Sequence, residues 1–155
     1  TLQAPTVREA VAALGLALHA HMTFDATATE VDTPVEAAFA GRHGVCQDFA
    51  QIMIAGLRSL GIPAAYAAGY LRTHPPPGKP RLEGADAMHA WVRAWTGAEG
   101  GWCEYDPTNA CFVAEDHIAV GYGRDYADVA PVIGMLRLDG AQEGRHAVDI
   151  RPEGE

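Results

Sequence analysis

A lone cysteine, Cys46, lies in the stretch Gly44-Val45-Cys46-Gln47-Asp48-Phe49-Ala50, where a glycine-punctuated loop gives way to an apolar helical pattern. Phe49, Ile52, Met53, Leu57 and Leu60 recur at helical spacing, and Gly61 followed by Pro63 supplies a stop signal. Cys46 is therefore expected in the first turn of a helix. A thiol there meets backbone N–H groups outside the intrahelical ladder and the positive end of the helix dipole, which together favour the nucleophilic thiolate. The ordinary fate of a free cysteine is burial as a small hydrophobe, so its chemistry depends on what partners reach it.

A predicted hairpin supplies them. From Met88 to Trp95 the sequence alternates, with His89, Trp91, Arg93 and Trp95 on one face and Ala90, Val92 and Ala94 on the other. Residues 96–101 read as a turn, and Trp102 to Asp106 as the returning strand, ended by Pro107. If Arg93 pairs with Trp102, His89 stands opposite Asp106, with Cβ atoms about 4.5 to 5.5 Å apart. A register shifted by two leaves them diagonal neighbours on the same face. A histidine that takes the thiol proton and an aspartate that holds the imidazole tautomer are the two supports a cysteine nucleophile needs. Taken singly, a histidine beside tryptophan is usually a packed residue and an aspartate before proline a turn former; the coincidence of all three residues is the signal.

The remaining elements have to position them. Thr6 to Glu9 has the form of a capping box, and Val7, Val11, Leu14 and Leu18 share one face of a helix running to about His19. Residues 25–32 read as loop, and Thr33-Pro34-Val35-Glu36 as a second capping box opening a short helix over 34–40. After the helix of Cys46 comes a strand over 64–71. A Pro/Gly-rich loop over 73–84 follows, too proline-dense for regular structure and long enough to act as a lid. Two more short strands are expected at about 117–121 and 145–150. Helices first and an antiparallel sheet after them is an α+β arrangement.

At 155 residues the chain fits one catalytic domain spanning 1–155, read as part of a longer protein because it begins at Thr1. The formal charge of −9, with no Lys/Arg cluster, repels a phosphate backbone and argues against nucleic acid. No apolar run approaches a membrane span and no signal-peptide pattern opens the chain, so no membrane partner and a cytoplasmic location are the expectations. Three cysteines, 46, 103 and 111, cannot all pair, and Cys103, Cys111 and His117 match no zinc spacing; no metal or cofactor is expected.

Three segments together, Gly44 to Ala50, His89-Ala90-Trp91-Val92 and Asp106-Pro107-Thr108-Asn109, resemble the transglutaminase-like superfamily, and Gly123-Arg124-Asp125-Tyr126-Ala127-Asp128-Val129-Ala130-Pro131 resembles a stretch of its bacterial members. The resemblance runs from about Thr33 to Gly134. It implies a papain-like fold in which Cys46 attacks an amide carbonyl, His89 acts as base and then acid, and Asp106 orients His89, the Cys46 N–H serving as one oxyanion donor. Gln47, Asp48, Trp91, Tyr105, Asn109, Arg124 and Tyr126 are the supporting or substrate-binding candidates, Asp48 also reading as a first-turn acid that stabilises its own helix. The implied substrate is a peptide, protein or other amide. Transglutaminases proper line the acyl-acceptor channel with tryptophans, one upstream of the nucleophile and one just before the histidine. Here no tryptophan precedes Cys46, Phe24 being a distant aromatic substitute, and Asp86 stands three residues before His89. Hydrolysis is therefore expected over amine transfer, with a non-catalytic scaffold as the reading from another class.

Overall fold

Phe49, Ala50, Met53, Ile54 and Leu57 fall on one face of a single helix and are all buried, and that apolar stripe is what the antiparallel sheet packs against. The computed structural model describes residues 6–30, 33–75, 77–80, 86–130 and 147–153. The elements in order are helix α1 (Val7–His21), strand β1 (Thr23–Phe24), helix α2 (Val35–Gly41), strand β2 (His43–Gly44), helix α3 (Cys46–Ser59), strands β3 (Ala64–Leu71), β4 (Ala87–Trp95), β5 (Trp102–Asp106), β6 (Cys111–Phe112) and β7 (His117–Gly123), and a 3₁₀ turn, Tyr126–Asp128. The five-stranded sheet has the order β6-β5-β4-β3-β7 with every pair antiparallel. Helices α1 and α3 cover one of its faces. Their buried residues join Tyr66, Ala90, Val92, Ala94, Cys103 and Tyr105 from the strands in one core. This is the expected α+β architecture.

The first capping box forms as read, with the Glu9 N–H donating to Thr6 Oγ1 (3.2 Å) and the Thr6 N–H to Glu9 Oε2 (2.7 Å). The second does not. Thr33 Oγ1 accepts from the Glu30 N–H instead (2.9 Å), and α2 starts from Pro34 with no side-chain cap. Leu60, expected on the buried face of α3, is 67% exposed because the helix ends before it and the chain turns at Gly61. Two short pairings escape the period-2 pattern altogether: β1 with β2, which are parallel, and β5 with β6.

The β4–β5 register is the shifted one. Arg93 pairs with Glu104 and Trp95 with Trp102, not Arg93 with Trp102. Two left-handed glycines, Gly97 (φ 103°) and Gly101 (φ 63°), close a tight turn in which the Thr96 N–H donates to the Gly101 carbonyl (2.8 Å). The Trp95 and Trp102 rings then pack edge-on at 5.4 Å, and opposite charges face each other at 93 and 104. Of the strand expected at 145–150, residues 145 and 146 lie outside the described residues. Residues 147–150 are not a strand; they dock through the Asp86 N–H to the Val148 carbonyl (3.3 Å) and the Ile150 N–H to Asp86 Oδ2 (2.5 Å). Much of the expected loop over 73–84, including 76 and 81–84, also lies outside the described residues. Among the described residues no helix is long and apolar enough to cross a membrane.

Strand β7 reaches β3 with a bulge between Ala68 and Gly69. A Cβ on Gly69 would collide with the Ile118 carbonyl and lie 2.7 Å from the Trp91 ring, whereas one on Gly121 would meet only a Val129 methyl at 3.4 Å. Gly69→Ala is therefore expected to destabilise the fold by about 1–3 kcal/mol through overpacking, with Gly121→Ala close to neutral. Thermal melts of the two variants compare them directly.

Candidate active site

Cys46 owes its place to a short pairing and a buried carboxylate. Strand β1 holds β2 in register, Phe24 beside Gly44, and the Asp25 N–H donates to the Gly44 carbonyl (3.0 Å). Asp48 then folds back over the loop: its Oδ2 accepts from the Val45 N–H (2.8 Å) and from Thr29 Oγ1 (2.6 Å). A Cβ on Gly44 would stand 2.7 Å from Asp48 Oδ2 and 2.8 Å from its Cβ, so only glycine admits this carboxylate. Asp48 is thus the first-turn acid of α3, buried and fully engaged in holding the helix start. Cys46 is the first residue of the helix and half-buried. Its own N–H has no carbonyl one turn earlier within α3 to bond.

His89 and Asp106 meet across the shifted register. His89 Nε2 donates to Asp106 Oδ2 at 2.7 Å, and Cys46 is near enough for its charge to act on the same imidazole. The carboxylate of Asp106 is wholly buried. Its Oδ1 accepts from the Thr108 N–H (2.9 Å) and the Asn109 N–H (3.2 Å), and its Oδ2 from Asn109 Nδ2 (2.7 Å) as well as from His89. The turn that supplies these donors is wound tightly enough to hold Ala110 at φ 53°, and His19 of α1 fastens it by donating from Nδ1 to the Thr108 carbonyl (3.0 Å).

A further donor on the same oxygen was not among the sequence candidates for this role. His117 Nε2 lies 3.0 Å from Asp106 Oδ2, its side chain only 6% exposed. It begins β7, at the far edge of the sheet from β6, and no local pattern in the sequence connects the two edges; the chain between them crosses through residues 113–116, pinned by the Val113 N–H to the Glu104 carbonyl (3.0 Å). The ring of His117 packs edge-on against Trp91 (5.3 Å, 80°).

Burial opposes the charged form of His89, but the hydrogen bonds to Asp106 and to Cys46, with the charges of both, outweigh it and raise the imidazole to about 9. Burial likewise opposes the Asp106 carboxylate, yet the bonds from His117, His89 and Asn109 hold it well below the usual carboxylate range. The arrangement sets a protonated imidazole against a permanently ionised carboxylate.

The other candidates divide. Asn109 joins the site through Asp106, and Trp91 walls it, with its ring 6.1 Å from that of His89 and Nε1 donating to Glu104 Oε2 (2.7 Å). Gln47 follows Cys46 in the first turn, half-buried. Tyr126 packs edge-on to Tyr66 (6.3 Å), against the core. Tyr105 does not belong to the site: it points into the core, where Gly15 of α1 leaves room for its ring. Arg124 does not either, since its side chain is 83% exposed and paired with Asp128 (2.8 Å). Asp86, expected to face an acyl acceptor, is 6% exposed and accepts from the Thr73 and Ile150 N–H groups (2.6 and 2.5 Å), which makes it a latch between segments. Among the described residues the one cluster with metal-ligand atoms within reach of each other is His89, Asp106 and His117. Its hydrogen bonds account for it, and we assign it no metal; Cys103 and Cys111 do not join it.

The transglutaminase-like superfamily model matches residues 1–107. An uncharacterized protein of Mycobacterium tuberculosis is 46% identical over 122 residues, 77% of this chain but 39% of that protein, so the chain spans about two fifths of the length of this relative. A protein-glutamine gamma-glutamyltransferase of Pseudomonas aeruginosa is 38% identical over 87 residues, 56% of this chain and 13% of that one. Among solved structures, a candidate cysteine protease from Cytophaga hutchinsonii superposes with a TM-score of 0.67 at 29% identity, covering 83% of this chain and 40% of that chain. With most of its length matched and its helices and antiparallel sheet arranged as in that relative, the chain belongs to the transglutaminase-like superfamily.

Proposed function

We propose that this chain is a cysteine-dependent acyl-transfer domain that opens an amide or peptide bond through a thioester on Cys46 and resolves the thioester chiefly with water. The observation that supports the reading is the buried His89–Asp106 hydrogen bond (2.7 Å), with a thiol at a helix N-terminus whose charge acts on the same imidazole. In the first half, Cys46 Sγ attacks the carbonyl carbon while helix-end N–H groups, that of Cys46 among them, receive the developing oxyanion. The C–N bond breaks and the leaving amine takes a proton from His89. In the second half His89 removes a proton from water, the hydroxide oxygen bonds the carbonyl carbon, and the C–S bond breaks to release the acid. Asp106 stays ionised throughout and keeps the imidazole aimed at the sulfur.

Transfer to an amine is the alternative, favoured by the likeness to the Pseudomonas aeruginosa gamma-glutamyltransferase. Labelling with an amide-mimicking electrophile, a peptide-library screen and product analysis with excess lysine analogue test the reading in sequence. Acid product is expected to exceed amine adduct; the reverse makes this a transferase, and no labelling at all makes it a scaffold.

Under limiting iodoacetamide, Cys46 is expected to be modified ahead of the other two thiols. Burial pushes Cys103 up; Cys111 is exposed, but partial desolvation of its sulfur and the Asp106 charge push it up as well. Mass spectrometry showing Cys103 or Cys111 labelled first would sink the assignment. Asp106→Asn should leave the protein folded but cost about 10⁴-fold in turnover, since the amide cannot hold the imidazolium; near-normal turnover would show another residue orients His89.

The rate of turnover is expected to fall on the alkaline side with an apparent value near 9, as His89 loses its proton. The same proton gives a stability term. Because the folded value lies above the unfolded one of about 6.5, the contribution is complete below that pH and disappears as pH rises through about 9. Chemical denaturation at pH 6 and pH 9.5 measures it, and no loss of stability between them would contradict the pairing.

A further inference from the structure

His117 lies outside the three residues of the acyl-transfer reading, yet it bonds the very oxygen that orients His89. Its tautomer is set by the chain: the Ala114 N–H donates to Nδ1 (3.5 Å), which leaves the proton on Nε2, pointed at Asp106 Oδ2 3.0 Å away. The geometry separates holding the carboxylate from sharing it. Asp106 is already fixed by Asn109 Nδ2 and by the Thr108 and Asn109 N–H groups, so its orientation does not hang on His117. His117 competes with His89 for Oδ2, beside Asn109 Nδ2, and is the competitor that comes from outside the turn of Asp106. A carboxylate oxygen that gives part of its charge to one N–H binds the next more weakly.

We propose that His117 is a positioning residue that shares the Asp106 carboxylate with His89 and thereby keeps His89 able to release its proton between the two halves of the reaction. The inference rests on the acyl-transfer reading, in which the imidazole must be an acid toward the leaving amine and then a base toward water. A histidine held too firmly as imidazolium serves the first step and fails the second, because the optimum for both lies near the working pH. Among the described residues the titratable groups that feel this carboxylate are His89 from β4, Tyr105 beside it on β5, Cys111 from β6 and His117 from β7, and Cys46 of α3 acts on His89. The neighbouring acids are taken up elsewhere, Glu104 by Trp91 and Tyr122 and Asp116 by His74.

The test needs no substrate. The pH profile of Cys46 alkylation by iodoacetamide is measured for the native protein, for His117→Phe, which keeps a ring without a donor, and for His117→Gln, whose amide restores one. The upper inflection, near 9 in the native protein, is expected to move up by roughly half a unit or more in the Phe variant and to return toward the native value in the Gln variant. Superimposable profiles from folded proteins would reduce His117 to a packing residue and overturn the proposal. Should the Phe variant fail to fold, nitrogen NMR of the histidines in the native protein decides: a proton on Nε2 of His117 is required, and a ring protonated on Nδ1 alone has no proton to give Asp106. Because alkylation reports on the thiol and imidazole alone, a chain that turns over no amide can still show the shift, and one that turns over amides without it refutes only the role of His117.

Discussion

A carboxylate with no exposure to water is the constraint on which the rest of this site depends. Removing an ionised group from water costs several kcal/mol unless hydrogen bonds replace its hydration. Asp106 meets that cost with the imidazoles of β4 and β7 and with the side chain and backbone of its own turn. Those donors come from three separate parts of the chain, which the sheet brings together. The turn after β5 must be wound until a non-glycine residue is left-handed, and β7 must start where its first side chain can reach back across the sheet. Satisfying one charge thus places His89.

Cys46 is held by an independent device at the start of α3. Asp48 is a second buried carboxylate, but it works on the backbone, closing the loop before α3 so that the helix can begin at Cys46. The apolar stripe of α3 then presses the helix onto Ala90 and Val92 of β4, the strand that carries His89. The alternating pattern of β4 therefore does two jobs at once: one set of side chains makes the core and the other makes the site. Tyr105 and Asp106 on β5 divide in the same way, Tyr105 toward Gly15 of α1 and Asp106 toward the histidines.

This division explains what could be read from the residues and what could not. Periodicity located α1, α3 and β4, because each buries one face, and a His and an Asp on one face of a hairpin were visible in spacing. Register was less legible, since a shift by two preserves every face and is decided by turn glycines and the Trp95–Trp102 contact. Tyr105 was drawn toward the site by its neighbour although strand alternation sends it to the core. His117 was out of reach for a different reason: its partner is across the sheet, and no sequence period describes a connection between opposite edges. Two-residue strands such as β1 and β6 are too short to show any period at all.

The fate of the thioester turns on what faces it, and here the structure changes the argument that composition suggested. The residue before the histidine where a channel wall would stand is Asp86, and its carboxylate is directed not at an acceptor but at the N–H groups of Thr73 and Ile150. That position is committed to joining the end of the proline-rich segment to residues near the C-terminal end of the chain. An aromatic wall there would cost the latch, so amine transfer would have to draw its acceptor surface from elsewhere, and Phe24, exposed beside Gly44, is one aromatic where two are wanted. A thioester partitions toward an amine only where the site both desolvates and holds it. On the acyl-transfer reading, a site with one such wall favours water for lack of anything to exclude it, rather than through any attraction between Asp86 and a cationic acceptor.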